Sequence, residues 1–301
     1  MTPEDLRARW GAAVRASEPL AAHTTFRIGG PADFFAEAKT LDELIELVRR
    51  ARQQRVPFFI LGNGSNLLIS DRGFRGLVIE NHCAQVSLQA LGATRARVRV
   101  ESGAVLPGLA NRLARQGWAG LEWAIGVPGT MGGAIVGNAG AHGACIADNL
   151  IGVTILDAES VIRELPKTEL AFAYRTSRFK RARDEVILRA EIELERDEPD
   201  ACIARMQAYV EQRRRTQPTE PSVGSIFKNP PGDFAGRLID AAGLKGTRVG
   251  GVEVSPVHAN FFVNRGGATA SEVLQLIEIV RTRVRAQFGV ELELEIQVVG
   301  D

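Results

Sequence analysis

Cysteine is scarce in this 301-residue chain: Cys83, Cys145 and Cys202 lie far apart, with no CxxC pair. That spacing excludes a zinc-ribbon or dithiol motif and suits a reducing compartment. Net charge is also nearly absent. Lys and Arg number 37 against 36 Asp and Glu, a formal +1, so no global field draws the protein to nucleic acid or to a membrane surface. The start, MTPEDLRARW, lacks the apolar core of a signal peptide, so export is not expected and cytoplasmic residence is the default. There is no internal repeat and no low-complexity segment. Tyrosine occurs only at Tyr174 and Tyr209.

Another absence is local. The stretch from Trp123 to Ala147, WAIGVPGTMGGAIVGNAGAHGACIA, has no Asp, Glu, Lys or Arg in a chain that is 24% charged, and seven glycines fall between Gly126 and Gly143. Glycine permits close backbone approach and positive φ at an entropic cost. Such density points to backbone wrapped around a large, flat or phosphorylated ligand, with a plain cluster of glycine turns as the alternative. Gly129, Gly133 and Gly137 form GxxxGxxxG, a membrane-helix packing pattern. A span needs about 20 mainly apolar residues, and Pro128, Asn138 and His142 interrupt this one.

The length suggests about two domains, and 45% hydrophobic residues supply sizeable cores. Helices are expected at Pro3 to Ala16 (N-cap Thr2), Leu41 to Gln54 (N-cap Thr40, capping-box Glu43), Leu106 to Gln116, Asp200 to Thr216, Phe234 to Ala242 and Ser271 to Phe288. Strands are expected at Ala32 to Ala38, Pro57 to Leu61, Leu77 to Glu80, Arg97 to Glu101, Val153 to Asp157, Val186 to Glu195, Val223 to Phe227 and Phe261 to Val263, with one more at the end. The alternation is not regular βαβ, so the expected class is α+β. The charged, proline-containing stretch at 196–200 suits a linker. It divides a larger domain, 1–197 with a subdivision near 75, from a smaller one, 198–301.

Gly62-Asn63-Gly64-Ser65-Asn66 follows an expected strand, and consecutive backbone N–H groups there can form an anion nest. It is neither a P-loop nor GxGxxG, and a simple hairpin turn is the alternative. The basic runs at Arg178, Lys180, Arg181 and Arg183 and at 213–215 read as solvated faces that an anionic substrate can also use. Glu291, Glu293, Glu295 and Gln297 fall on one face of an alternating segment, and Glu191, Glu193 and Glu195 show the same pattern. Spacing does not distinguish the two.

Taken in order, TTFRIGG (24–30), GNGSN (62–66), GVPGTMGGAIVGNAGAHG (126–143), YRTSRF (174–179), GSIFKNP (224–230) and LELEI (292–296) resemble flavoproteins of the vanillyl-alcohol-oxidase/PCMH type. More closely, they resemble the UDP-N-acetylenolpyruvoylglucosamine reductase family of bacterial cell-wall synthesis. The resemblance runs from His23 to Gly300. It implies a two-part FAD-binding domain followed by a smaller α+β substrate domain, noncovalent FAD, and NADPH as hydride donor. Cofactor contacts are implied at Arg27, Gly62, Asn63, Gly64, Ser65, Asn66, Gly126, Pro128, Gly129, Thr130, Gly132, Gly133, Asn138 and Gly140.

The resemblance also implies reduction of UDP-N-acetylglucosamine enolpyruvate to UDP-N-acetylmuramate. Arg175 would bind the substrate carboxylate, Ser225 would protonate C2, and Glu295 would stabilise the enolic state. Tyr174, Lys228, Asn229 and His258 would touch substrate. Longer relatives carry a substrate-contacting Tyr in an extra segment. This chain has no Tyr after Tyr209, so it resembles the shorter subclass. No metal, nucleic acid, membrane or required protein partner is implied. The rival readings are a related FAD-dependent alcohol or hydroxy-acid oxidase and a non-catalytic flavin-binding redox sensor.

Overall fold

The structure is a computed structural model that describes residues 3–10, 13–182 and 184–300. The expected N-cap Thr2 and the basic Arg183 lie outside the described residues. The chain forms two compact units, neither contiguous in sequence. One comprises Met1–Val14, Ala36–Gly62 and Val78–Arg213; the other comprises Arg15–Phe35, Asn63–Leu77 and Arg214–Asp301. The charged stretch at 196–200 leads straight into the helix Pro199–Thr216, and residues up to Arg213 belong to the first unit. In that helix Cys202 and Met206 pack with Ala114, an apolar contact that keeps it with the first unit.

The first unit is built on an antiparallel sheet in the order Ile162–Pro166, Leu150–Leu156, Val186–Arg196, Arg95–Glu101, Val86–Ala90, with Trp118–Ala119 paired to one end of Val186–Arg196. Alternation along Val186–Arg196 buries Ile192 and Leu194 and turns the glutamates outward. The helix Leu106–Arg115 buries Leu106, Leu109, Ala110 and Leu113 at helical spacing in the same core. The helix Leu41–Gln53 starts with the expected Thr40/Glu43 capping box.

The second unit holds a short antiparallel sheet (Arg248–Val249, Val252–Val254, Phe262–Asn264), a parallel pair (Leu67–Ile69 with Gln297–Val299), and the helices Ala235–Ala241 and Ala270–Phe288. Its core includes Phe26, Ile28, Leu68, Phe227, Phe262 and Leu276. Asp71 accepts from Ala270 N–H (2.6 Å), Ser271 N–H (2.9 Å) and Ser271 Oγ–H (2.6 Å), placing a carboxylate on the first turn of the long helix.

Two expectations need correction. The first helix ends at Trp10 and a strand begins at Val14, where the expected helix ran on to Ala16; Val14 is β-branched and suits the strand. Val223 to Phe227 is not a regular strand. Only Ser225 and Phe227 form bridges, to Phe261 and Leu294 respectively, because Pro221, Gly224 and the Pro230-Pro231 turn leave no length for a ladder.

Candidate active site

The glycine segment lies in the first unit. Thr130 caps the helix Met131–Gly137, its hydroxyl accepting from Gly133 N–H at 3.3 Å, and Asn138 closes it in the left-handed region at φ 44°. No helix among the described residues is long and apolar enough to cross a membrane, and this one has seven residues.

The glycines here are of two kinds. A Cβ on Gly62 would fall 2.7 Å from Thr130 Oγ1, one on Gly132 would fall 3.1 Å from Ser102 Cβ, and one on Gly140 would fall 2.5 Å from Ala144 O. These three let protein pack on protein. A Cβ on Gly137 or Gly143 would meet nothing within 4 Å, and one on Gly133 only Thr130 Oγ1 at 3.6 Å. The second kind faces open space; a left-handed φ of 85° accounts for Gly143, but no close contact or positive φ accounts for Gly133 or Gly137. Gly129 takes φ 134° and Pro128 is exposed. Three buried polar atoms of the segment, Trp123 Nε1, Asn138 Oδ1 and His142 Nε2, have no hydrogen-bond partner.

The same helix supports the segment bearing Arg175. Ala173 and Thr176 exchange backbone hydrogen bonds at 3.1 Å, leaving Tyr174 and Arg175 as a two-residue tip. Asn138 Nδ2 donates to Ala173 O (2.9 Å) and Ser177 Oγ donates to Val136 O (2.9 Å). Arg175 takes φ 55°, a left-handed conformation that costs a non-glycine residue about 1 kcal/mol or more. Its Cζ lies 5.5 Å from the centre of the Tyr174 ring, which is 55% exposed.

Sequence reasoning missed Arg213. It belongs to a run read as solvated, yet a Cβ on Gly126 would fall 2.2 Å from Arg213 Cδ. Burial lowers its pKa. Burial also lowers the pKa of His142, with the Arg213 charge adding to the effect and Gln212 opposing it. His142 stacks on Tyr209 with ring centres 4.0 Å apart.

The segments bearing Ser225 and Glu295 pair in the second unit. Phe227 bridges Leu294, Glu295 N–H donates to Ile226 O at 2.8 Å, and Lys228 N–H donates to Glu293 O at 2.8 Å. Glu295 is half-buried, while Glu291 and Glu293 are exposed. Pairing stops at Lys228, before the turn in which Asp233 N–H donates to Pro230 O. Lys228 Nζ is 3.0 Å from Glu293 Oε2, and Asn229 Oδ1 accepts from Ala235 N–H at 3.1 Å.

The GNGSN stretch crosses a unit boundary after Gly62. Gly64 takes φ 58°, and a Cβ there would fall 2.3 Å from His23 O. Ser65 is half-buried and Asn63 exposed. Asn66 Nδ2 donates to Glu295 O at 3.2 Å, and Asn66 O accepts from Gln297 N–H at 3.0 Å. Arg27 is exposed, at φ 57°, with Asn264 Nδ2 donating to the neighbouring Phe26 O at 2.9 Å. His258 Nδ1 accepts from Asn260 N–H at 3.2 Å, and burial lowers its pKa.

Residues 32–165 match the family profile described as FAD binding domain, and residues 217–299 match the C-terminal domain of UDP-N-acetylenolpyruvoylglucosamine reductase. A reductase of that name from Chloroflexus aggregans is 48% identical over 290 residues, covering 95% of this chain and 97% of the relative. This chain belongs to the UDP-N-acetylenolpyruvoylglucosamine reductase family. The Moorella thermoacetica reductase of that name is 45% identical, covering 96% and 94% of the two chains. The crystal structure of the Thermus caldophilus reductase superposes with TM-score 0.80 at 35% identity, covering 95% of this chain and 98% of that one. Membership makes the protein a flavin-dependent oxidoreductase of α+β architecture, with an FAD-binding domain and a C-terminal reductase domain.

Proposed function

We propose that this family member reduces UDP-N-acetylglucosamine enolpyruvate to UDP-N-acetylmuramate in peptidoglycan precursor synthesis, using FAD and NADPH. What supports the reading is main-chain pairing in the second unit, Glu295 N–H on Ile226 O, which joins the segments that bear Ser225 and Glu295. A hydroxyl proton donor and a carboxyl group carried on paired segments suit protonation of an enolic carbon. An alcohol oxidase has no such carbon to protonate.

The residues of the first unit fit FAD. The open faces of Gly133, Gly137 and Gly143 leave room for a flat or phosphorylated group, and Trp123 Nε1 and Asn138 Oδ1 are a buried donor and acceptor awaiting partners. Bound FAD supplies hydride transfer from NADPH to the enolpyruvyl double bond. Arg175, offered on its two-residue tip, holds the substrate carboxylate through a planar guanidinium. Ser225 holds the proton for C2. Glu295 stabilises the enolic charge in its protonated form or through a shared proton. Lys228 turns from exposed Glu293, a pair contributing about 0–1 kcal/mol, to a substrate diphosphate oxygen. Tyr174 presents an exposed ring to the substrate. Cytoplasmic residence, part of the same reading, rests on three unpaired cysteines; burial pushes the Cys83 thiol up to about 12.

Anaerobic half-reactions test this. NADPH should bleach the flavin and the UDP-enolpyruvyl sugar should restore its colour, which neither an alcohol oxidase nor a flavin sensor would do. Ser225→Ala should keep the bleaching and slow the recovery about 10²–10⁴-fold, the contribution of a positioned acid. Near-normal recovery would remove Ser225 from the reaction. Gly133→Val tests the cradle, since the added side chain meets no protein atom closer than 3.6 Å at Cβ. A folded but colourless protein is expected, and normal flavin retention would move the cofactor away from this face.

A further inference from the structure

The Ser225–Phe227 segment has a main-chain partner on one edge, at 293–295. On the other edge a side chain does part of that work. Asn260 Oδ1 accepts from Phe227 N–H at 3.0 Å, and Asn260 Nδ2 donates to Phe227 O at 2.8 Å. Asn260 O also accepts from Ile226 N–H at 2.8 Å. A carboxamide presents the donor and acceptor of a peptide group, so Asn260 acts as an extra strand residue where Gly224 and Pro230 leave no space for a strand. Phe227 is fully buried and Asn260 is 3% exposed, so neither of the two Phe227 backbone groups can turn to water instead.

Asn260 is itself held. Its N–H donates to His258 Nδ1 at 3.2 Å, Phe261 N–H donates to His258 O at 2.9 Å, and fully buried Ser255 accepts from the N–H groups of Val257 (3.2 Å) and His258 (3.4 Å). His258, expected as a substrate contact, has one ring nitrogen engaged in this turn.

We propose that Asn260 is a positioning residue for the proton donor: its carboxamide clamps both main-chain groups of Phe227 and so fixes where Ser225, two residues earlier and bridged to Phe261, holds its hydroxyl. The inference rests on the reading of Ser225 given above. The clamp matters only to the step in which substrate is protonated, and it has no part in flavin reduction by NADPH.

The flavin-loaded enzyme, followed anaerobically by stopped flow, tests this with Asn260→Leu, which removes both hydrogen bonds at similar volume, and Asn260→Asp, which keeps the shape and alters the donor. Both variants should retain FAD and be reduced by NADPH at the wild-type rate. Reoxidation by the UDP-enolpyruvyl sugar should slow about 10- to 100-fold in Asn260→Leu, the scale of misplacing a reacting group. Added to Ser225→Ala, the Leu substitution should slow reoxidation no further, because the group it positions is already gone. Loss of FAD in both variants, equal slowing of both half-reactions, or additive effects with Ser225→Ala would make Asn260 merely structural and overturn the proposal. A slow Ser225→Ala beside normal Asn260→Leu and Asn260→Asp would remove the positioning role alone. A normal Ser225→Ala would remove the proton-donor reading and the proposal with it.

Discussion

On the strand Val186–Arg196, Glu191, Glu193 and Glu195 stand opposite Arg99, Arg97 and Arg95 of the neighbouring strand. Glu191 pairs with Arg97 and Arg99, both at 3.0 Å, and Glu193 pairs with Arg95 at 2.9 Å. The glutamates at 291, 293 and 295 repeat that alternation on a segment with no regular ladder. Glu291 meets Arg285 at 3.1 Å and Glu293 meets Lys228 at 3.0 Å, both at the surface. Glu295 is drawn in, its N–H on Ile226 O and its carbonyl accepting from Asn66 Nδ2. Alternation decides which way a side chain faces. What lies opposite decides what it can do: a row of arginines makes a solvated ladder, and the Ser225 segment makes a candidate site.

The largest expected effect breaks or upholds that contrast directly. Glu295→Gln should slow flavin reoxidation by substrate about 10²–10³-fold, the size of losing one electrostatic stabiliser, with NADPH reduction unchanged. A wild-type reoxidation rate would make the second repeat as inert as the first. Next comes Asp71→Asn, which weakens the clamp between the strand paired to Gln297–Val299 and the long helix. Burial opposes ionisation of Asp71, but the Ser271 hydroxyl and the Ser271 and Ala270 N–H groups outweigh it, so its pKa is lowered from 3.8. The stabilisation is therefore whole above that ordinary value and is lost as pH falls through the lower folded value. Thermal melts should show a loss of about 0.5–1 kcal/mol at neutral pH, vanishing in acid. A constant difference at all pH values would mean that the charge is irrelevant. Glu191→Ala, which strips a partner from two arginines, should cost about 0.5–1 kcal/mol with both half-reactions intact. Glu193→Gln should cost a few tenths of a kcal/mol, and any change in its reoxidation rate would erase the contrast between the two repeats.

Where local chemistry is self-sufficient, the fold was legible in the sequence. Thr40 with Glu43 forms a capping box that marks its own helix start. The long helix begins at Ala270, one residue before the expected Ser271, because Thr269 and Glu272 form its own capping box. The order of the motifs along the chain carries the family resemblance by itself. Legibility failed where partners are remote. Asn260 looked like any loop asparagine, and its role exists only because Phe227 lies against it. Arg213 looked like one of three solvated arginines until Gly126 offered a surface without a side chain. The two glutamate repeats are indistinguishable by period, and only the Ser225 segment separates them.

The parallel pairing of Leu67–Ile69 with Gln297–Val299 has a consequence for biosynthesis. Asn66 and Glu295, joined by a hydrogen bond, are 229 residues apart in the chain. A ribosome releases Phe26, Ile28 and Leu68 long before it makes the residues that bury them, so the second unit must assemble late. Until then, apolar side chains destined for its core stay exposed to aggregation and to chaperones. A premature stop shortly before Gln297 would remove three residues of strand and leave Leu67–Ile69 as an unpaired edge, which makes truncation at that point unusually damaging.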